Sequence, residues 1–120
     1  MIVVAGEALI DLAPRGELLL PLPGGSPYNV AVGLGRLGSD AAYLGGLSSD
    51  GFGRILTERL RSEGADLGLV AWTDLPTTLA VVHLDEHARA SYGFYLDATS
   101  ASSLTLTRAR WPRTLSTRRA

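Results

Sequence analysis

The strongest constraint on the fold is a helix whose start and stop signals both lie between residues 24 and 38. Ser26 can cap a helix, and Pro27 suits the first helical position, where its missing N–H is no loss. Gly38 can end the helix in a left-handed conformation. The apolar stripe of this helix, at spacings of four and three, is Val30, Leu34 and Leu37. The sequence therefore predicts a helix over 27–37 that buries this stripe.

Strand and helix signals alternate up to about residue 72. Asp50 is placed to cap a second helix, which Gly64 ends. The apolar face of this helix is Phe52, Ile55, Leu56 and Leu60. The runs that predict strands are 2–5, 18–20, 41–44 and 69–72. This alternation with short connections predicts right-handed crossovers and an α/β fold with a doubly wound, mostly parallel, Rossmann-like sheet.

From about residue 78, the hydrophobic pattern changes to a period of two residues, which is typical of strands. Segments 78–84 and 90–96 flank a turn at 85–88, and apolar and polar residues alternate in the second segment. Its apolar positions are Ala90, Tyr92, Phe94 and Leu96. The pattern predicts an antiparallel hairpin with one covered face, appended to the parallel sheet as a flap or an interface.

Composition removes several classes of chemistry. There is no Cys, which excludes thiol nucleophiles, disulfides and cysteine-ligated metal sites. All 11 basic residues are Arg, so there is no P-loop lysine and no lysine Schiff base. Asn29 is the only Asn in the chain, which directs attention to the segment around it.

The charge is divided unevenly along the chain. Residues 108–120 hold five Arg and no acidic residue, whereas residues 1–107 carry a net charge of −6, so we expect a boundary near residue 108. The longest uncharged run, 18–35, contains prolines and glycines that would break a spanning helix, and the N-terminus lacks a basic n-region. We expect a cytoplasmic protein with no membrane and no nucleic-acid partner.

Two motifs have ordinary explanations. Segment 33–38 (GLGRLG) matches the dinucleotide fingerprint G-x-G-x-x-G, but it ends a predicted helix instead of opening one, so helix packing and a cap explain it better. His83 and His87 are four residues apart, a spacing that joins two imidazoles only on a helix, and here they straddle a predicted turn. We expect neither a dinucleotide site nor a metal site.

Segment 24–29 (GGSPYN) contains more glycine than a turn and a cap require. Two adjacent glycines remove side chains where a ligand could approach the backbone, and the helix N-terminus supplies free N–H groups. Asn29, taken as the third helical residue, offers a donor and an acceptor together. Asp11 follows the first strand, at the mouth where open α/β sheets bind ligands. The arrangement suits a polyhydroxylated ligand or an anion, while a plain turn with a cap and a solvated Asp11 stay open as alternatives.

Four stretches, in the same order along the chain, resemble the ribokinase-like (PfkB) family of carbohydrate kinases, and in particular its fructokinase-type members. They are residues 6–11 (GEALID), 24–38 (GGSPYNVAVGLGRLG), 46–54 (GLSSDGFGR) and the strand pair 77–84 with 89–95. The second stretch resembles the N-terminal signature of the family and is the most specific of the four. The third resembles the G-x-x-x-D-x-x-G element that opens the second helix. The resemblance covers about residues 1–107.

The resemblance implies functions for these stretches. The residues that would hold sugar hydroxyls are Asp11, Gly24, Gly25 and Asn29. Phe94 and Tyr95 would belong to a lid, made of strands at about 15–22 and 77–96, that excludes water from the sugar. Members of the family transfer the γ-phosphoryl group of ATP, with Mg²⁺, to a sugar hydroxyl.

The catalytic half of the family pattern is missing from this sequence. In the longer family members the ATP site, a Gly-Ala-Gly-Asp anion hole and the general-base Asp lie in the second half, and no G-A-G-D occurs here. We therefore expect residues 1–107 to be the N-terminal, substrate-binding part of a truncated ribokinase-like domain. By itself it would have no catalytic residue, bind no ATP or Mg²⁺, and be inactive.

Two alternatives stay open. The chain could be a non-catalytic sugar-binding or assembly module, with a homodimer formed through the lid strands. For residues 108–120 the first expectation is a non-native, disordered end produced by a frameshift, and the second is a basic arm for nucleic acid or anionic lipid.

Overall fold

The computed structural model describes residues 1–104, so the Arg-rich segment 108–120 and its expected boundary lie outside the described residues. The elements are β1 (Ile2–Ala5), β2 (Leu9–Arg15), β3 (Leu18–Gly24), α1 (Ser26–Arg36), β4 (Ala41–Leu44), β5 (Gly46–Ser48), α2 (Gly51–Ser62), β6 (Ala71–Thr73), β7 (Leu79–Leu84), β8 (Ala90–Tyr95) and a short 3-10 helix (Ser100–Ser103). Neither α-helix of this part is long and apolar enough to cross a membrane.

The centre of the molecule consists of parallel strands. β1 pairs in parallel with β4, and β5 pairs in parallel with β6. Only Gly45 separates β4 from β5, so both pairs share one central stretch of chain, and a parallel bridge between Ala42 and Asp66 extends the contact. The connection from β1 to β4 contains α1, and the connection from β5 to β6 contains α2. This arrangement agrees with the predicted α/β class.

Both helices cover the same face of the central strands. Tyr43 on β4 is fully buried in a cluster with residues from α1 and α2, and its ring meets that of Tyr28 edge to face at 6.1 Å. The neighbours of Tyr43 along β4, Ala42 and Leu44, belong to a second cluster with Leu69, because successive side chains of a strand point to opposite faces. Most of the described core therefore lies between the helices and this sheet.

A second sheet of four strands stands beside the parallel core, in the order β3-β2-β7-β8. β2 pairs antiparallel with β3 and parallel with β7, and β7 pairs antiparallel with β8. The predicted hairpin of 78–84 with 90–96 is confirmed as β7 and β8. We call this four-stranded sheet the lid sheet.

The first part of the lid sheet differs from the prediction. The predicted strand at 18–20 is confirmed as part of β3, but the lid strand expected at about 15–22 also includes the two-residue turn between β2 and β3, where Gly16 has a φ of 62°. Asp11, expected only to follow the first strand, belongs to a second strand, β2. The prolines of β3 obscured its pattern, and they are tolerated because β3 is an edge strand.

Helix α1 begins at Ser26, one residue earlier than predicted. The predicted cap was wrong: Gly25 occupies the N-cap position, and no side chain caps the helix. The predicted buried stripe was also wrong, since Val30 is 50% and Leu37 81% exposed. The residues of α1 that are buried are Tyr28, Ala31 and Val32. The buried face of α1 thus combines the large ring of Tyr28 with the smaller Ala31 and Val32.

The glycines of segment 33–38 show how closely α1 packs against its neighbours. A Cβ on Gly35 would lie 2.5 Å from the carbonyl oxygen of Glu63, whereas a Cβ on Gly33 would meet nothing within 4 Å. Gly38 follows the helix with a φ of 76°. Helix packing and a C-terminal cap therefore explain the G-x-G-x-x-G pattern, as predicted.

The start of α2 is as predicted. Asp50 is its N-cap, and the side-chain Oδ1 accepts a hydrogen bond of 2.8 Å from the backbone N–H of Gly53. Of the predicted apolar face, Leu56 and Leu60 are fully buried and Ile55 is 38% exposed.

The predicted covered face of β8 was wrong. Tyr92 and Phe94 are 57% and 59% exposed, and their stacked rings lie 6.1 Å apart at the surface. β8 is an edge strand of the lid sheet, and within residues 1–104 no helix packs on it.

Candidate functional site

Asp11 lies in the middle of β2 and packs against Gly24. A Cβ built on Gly24 would lie 2.2 Å from Oδ2 of Asp11, so the carboxylate occupies the space that any side chain at position 24 would need. Gly24 is buried, and Asp11 is half-buried. The glycine therefore allows this carboxylate to lie beside the last residue of β3, just before helix α1.

Gly25 brings the start of α1 close to the end of β1. Its φ of 102° lies in the region that favours glycine, and a Cβ there would also meet the carbonyl oxygen of Glu7 at 2.7 Å. The backbone N–H of Asn29 donates to the carbonyl of Gly25 at 2.9 Å, which places Asn29 one helical turn above it. Asn29 is thus the fourth helical residue, not the third as predicted, and its side chain is exposed.

The structure brings the predicted sugar-contacting residues into one region. The carboxylate of Asp11 contacts Gly24, and the next residue, Gly25, is the N-cap of α1. Asn29 lies one turn further along the helix. Among residues 1–104, the side chains of Asp11 and Asn29 make no hydrogen bond to protein, so their polar groups remain available to a ligand. A carboxylate and an amide can accept and donate several hydrogen bonds between them.

Strand register separates the two predicted lid residues. Asp11 is paired with Ala80 on β7, and Ala80 is paired with Phe94 on β8, so Phe94 lies on the same face of the lid sheet as Asp11. Tyr95 is next along the strand and therefore lies on the opposite face, in the row of the buried Ile10. Only Phe94 of the pair is placed to cover Asp11.

A cavity of about 450 Å³ opens on the Asp11 face of the lid sheet. Its lining residues are Glu7, Leu9, Phe94, Leu96, Ala101 and Ser102. Leu9 lies two residues before Asp11 and is paired with Gly24, so the cavity adjoins the Asp11–Gly24 contact. The cavity has one wall from the core, one from β8, and a third from the 3-10 helix.

Tyr43 supports the turn that carries Glu7. Its hydroxyl donates a hydrogen bond of 2.8 Å to the carbonyl of Gly6, at the end of β1. Burial raises the pKa of Tyr43 above its usual range, and the nearby Tyr28 and Glu7 raise it further, so the phenol stays a neutral donor. The sequence identified Tyr43 only as part of a strand, and nothing in its local pattern indicates a partner 37 residues away.

The two histidines lie apart from this region. His83 is on β7 and His87 is in the turn that follows, and both are exposed. Within the described range 1–104, no three His, Asp or Glu side chains come together as metal ligands. The Gly-rich segment 33–38 forms the C-terminal end of α1, so it offers no helix N-terminus to a nucleotide phosphate.

Comparison with known proteins identifies a family whose fold agrees with the one described above. The pfkB family carbohydrate kinase profile matches residues 1–113. The chain therefore belongs to the pfkB family of carbohydrate kinases, and its ribokinase-like α/β fold, predicted from the sequence, is confirmed.

Several of the similar proteins are fructokinases. The chain is 39% identical over 110 residues to the fructokinase of Rhizobium leguminosarum bv. trifolii, covering 88% of this chain and 33% of that protein. The fructokinase of Xylella fastidiosa with bound ATP superposes with a TM-score of 0.80 and 32% identity, over 95% of this chain and 35% of that one.

A second solved relative contains sugar. The fructokinase of Vibrio cholerae O395 bound to fructose, ADP and calcium ion has a TM-score of 0.74 and 34% identity, over 92% of this chain and 36% of that one. In all three comparisons the chain spans about a third of the length of the relative.

Proposed function

We propose that this chain forms the sugar-binding part of an ATP-dependent carbohydrate kinase of the fructokinase type. The observation that carries the proposal is the carboxylate of Asp11, which has no hydrogen-bond partner within residues 1–104 and is held against Gly24 at the N-terminal end of α1. Membership of the pfkB family and the similarity to fructokinases support a sugar as the ligand.

The chemistry of the region suits a polyol. The Asp11 carboxylate can accept hydrogen bonds from two sugar hydroxyls, and the Asn29 amide can both donate and accept. Gly24 and Gly25 let the Asp11 carboxylate and the backbone of Glu7 lie directly against the start of α1. Phe94, on the same face as Asp11, would cover the apolar side of the sugar and exclude water. In this proposal the chain binds and orients the sugar.

The phosphoryl-transfer groups are assigned to a part of the enzyme that this chain does not cover. ATP with Mg²⁺ supplies the phosphoryl group in the family, and residues 1–104 contain no cluster of three metal-ligating side chains. We therefore propose that the 120-residue chain alone has no kinase activity. Fructose-dependent ATP turnover by the purified chain, with contaminating kinases excluded, would refute this part of the proposal.

Calorimetric titration of the chain with fructose tests the site. Replacing Asp11 by Asn should weaken binding about ten- to hundredfold, since a hydrogen bond to a charged group contributes roughly 1.5–3 kcal/mol. Glu17→Gln is the matched control, because Glu17 is an exposed acid in the turn at the other end of the same hairpin. Equal affinities of the two variants would remove Asp11 from the site.

A non-catalytic sugar-binding or assembly module is the second candidate. It is favoured by the apolar residues that the lid sheet leaves exposed, namely Leu18, Leu19, Leu22, Tyr92, Phe94 and Tyr95. A homodimer through the lid strands would cover them. Sedimentation that shows a stable, fructose-binding dimer would favour the module, whereas a fructose-binding monomer would favour the part of a kinase.

A further inference from the structure

The lid sheet is joined to the parallel core by a buried cluster of polar side chains. The chain enters β7 through Thr77 and Thr78 and leaves β8 through segment 96–100, and both passages meet in this cluster. Its members are Asp50, Thr77, Thr78, Thr99 and Ser100, of which the four hydroxyl residues are each at most 5% exposed. We call this cluster the hinge cluster.

Asp50 joins the first passage to α2. Besides capping α2, its Oδ1 accepts a hydrogen bond of 2.6 Å from the Thr77 hydroxyl, and its Oδ2 accepts one of 2.8 Å from the Thr77 backbone N–H. Capping needs only one oxygen. The second oxygen, and the second bond to Oδ1, hold the residues that lead into β7.

Thr78 and Thr99 join the two passages to each other. Their hydroxyl oxygens are 2.6 Å apart, and the Thr99 hydroxyl also lies 2.6 Å from the carbonyl of Leu96. A hydroxyl has one proton, so Thr99 donates to Leu96 and Thr78 donates to Thr99. The backbone N–H of Ala101 donates to the Thr78 hydroxyl at 3.1 Å. The result is a directed chain of hydrogen bonds from Ala101 through two buried hydroxyls to Leu96.

The ends of this chain are walls of the cavity beside Asp11. Leu96 and Ala101 both line the cavity, and they contribute its β8 side and its 3-10 side. The backbone N–H of Ile10, next to Asp11, donates to the carbonyl of Thr78 at 3.0 Å. The hinge cluster is thus hydrogen-bonded to Leu96, Ala101 and Ile10 at the edge of the site, but none of its own residues lines the cavity.

The 3-10 helix is in turn fixed to the core. A Cβ on Gly46 would lie 1.9 Å from the carbonyl oxygen of Ser100, so this glycine is what allows the 3-10 helix to sit on β5. The backbone N–H of Ser100 also donates to the carbonyl of Pro76 at 2.8 Å. The Ala101 end of the hydrogen-bond chain is therefore anchored on the core, and the Leu96 end is anchored on the lid sheet.

We propose that the hinge cluster sets the position of the lid sheet relative to the parallel core, and with it the shape of the cavity beside Asp11, and that Thr78 and Thr99 are positioning residues for sugar binding that do not touch the sugar. This inference rests on the proposed function, since it assigns the cluster to the same site. The alternative, that the hydroxyls only satisfy buried backbone groups, predicts no special effect on the ligand.

The test compares two threonine-to-valine substitutions in the full chain. Thr78→Val removes the hydroxyl that links the passages. Thr57→Val is the matched control, because Thr57 is also buried but its hydroxyl donates within α2, to the carbonyl of Gly53 at 2.7 Å. Thr78→Ser keeps the hydroxyl and serves as the rescue variant.

We expect Thr78→Val to weaken fructose binding about five- to tenfold, the effect of one lost buried hydrogen bond, and to speed amide hydrogen exchange in β7 and β8. Provided that urea unfolding shows the two valine variants to be equally stable, Thr57→Val should change neither fructose affinity nor amide exchange in β7 and β8. Thr78→Ser should restore both to the wild-type values. Equal exchange in the lid strands of the two valine variants would overturn the inference, as would unchanged fructose affinity in Thr78→Val.

Failure of the proposed function gives a different result. If the wild-type chain does not bind fructose, the sugar site is refuted. Hydrogen exchange, measured without sugar, then decides separately whether the cluster holds the lid sheet: faster exchange of β7 and β8 in Thr78→Val alone supports that part, and equal exchange overturns it.

Discussion

The carboxylate of Asp11 occupies the space in which a side chain of residue 24 would begin, with Oδ2 only 2.2 Å from an ideal Cβ on Gly24. The contact joins the middle of one strand to the end of its antiparallel neighbour, next to the first turn of α1. The orientation of the Asp11 carboxylate therefore depends on residue 24 having no side chain.

Gly24→Ala should therefore impair the site more than the fold. The added methyl group displaces the Asp11 carboxylate, which can rotate away, so we expect a loss of about 1 kcal/mol in the free energy of unfolding. Fructose affinity should fall about tenfold or more, because the carboxylate loses its orientation. Calorimetry and urea unfolding measure the two effects.

Gly51→Ala is the control for this substitution, since a Cβ on Gly51 meets nothing within 4 Å. It should leave both affinity and stability nearly unchanged. The interpretation fails if Gly24→Ala binds fructose as tightly as Gly51→Ala does.

Phe94 and Tyr95 form a second matched pair. Both are 59% exposed and adjacent on β8, but only Phe94 shares a face with Asp11. Phe94→Ala should weaken fructose binding severalfold because it opens the cavity to water, while Tyr95→Ala should have little effect. Titration calorimetry of the two variants checks this. A larger loss in Tyr95→Ala would mean that the sugar lies on the other face of the lid sheet.

Gly33 and Gly35 test the packing of α1. Gly35→Ala places a methyl group 2.5 Å from the backbone carbonyl of Glu63, which cannot move as a side chain can, so we expect a destabilisation of about 1–3 kcal/mol. Gly33→Ala meets nothing within 4 Å and should stabilise the helix by roughly 0.5–1 kcal/mol. Urea unfolding of both variants should give shifts of opposite sign. Shifts of the same sign would show that α1 and α2 are not in the close contact described here.

The parts of the fold that the sequence predicted are those with local signals. The Asp50 cap, the end of α1 at Gly38 and the β7–β8 hairpin each depend on residues within a few positions of one another. The exposure of Val30 and Leu37 was not predictable in this way. An apolar pattern shows that a helix has a face to bury, but packing against elements distant in the sequence decided which face is buried.

The sequence indicated candidate residues for the proposed site but not their geometry. The motifs indicated Asp11 and segment 24–29, whereas the face of the sheet that each lid residue occupies depends on strand register. The bonds of Asp50 to Thr77 cross 27 residues, and no local pattern in either segment indicates them.

The two buried tyrosines predict how the protein responds to alkali. Burial raises the pKa of both Tyr28 and Tyr43 above the usual range, and the nearby charge of Arg59 opposes the effect at Tyr28 only in part. The folded state thus favours the neutral phenols, and stability should be complete below the unfolded tyrosine pKa of about 10 and decline above it.

Ultraviolet titration of the phenolate band measures this response. Ionisation of the two buried phenols should coincide with unfolding. Tyr28→Phe and Tyr43→Phe should each remove one phenol from this late phase. Each should also cost about 1 kcal/mol, since the hydroxyls donate to the carbonyls of Leu56 and Gly6. A late phase of the same size in either variant would contradict the assignment.

Asp50 predicts the response to acid. Burial raises the pKa of its carboxyl, but hydrogen bonds from the side chain and backbone of Thr77 and the backbone of Gly53 outweigh burial and hold the pKa below the usual range. A carboxyl with a lowered pKa in the folded state stabilises fully above its unfolded pKa, near 4, and loses this contribution as pH falls through the folded value.

Asp50→Asn should therefore be less stable than the wild type by about 1–2 kcal/mol at pH 7, from the lost charge-assisted bonds to the α2 cap and to Thr77. The difference should shrink below about pH 4, where the Asp50 carboxyl of the unfolded chain takes up its proton, and vanish as the pH falls through the lower pKa of the folded state. Urea unfolding of both proteins between neutral and acidic pH gives the difference directly, and the other acidic groups cancel in the subtraction. A stability difference that stays constant across this range would show that the ionised carboxylate is not what holds the start of β7 to α2.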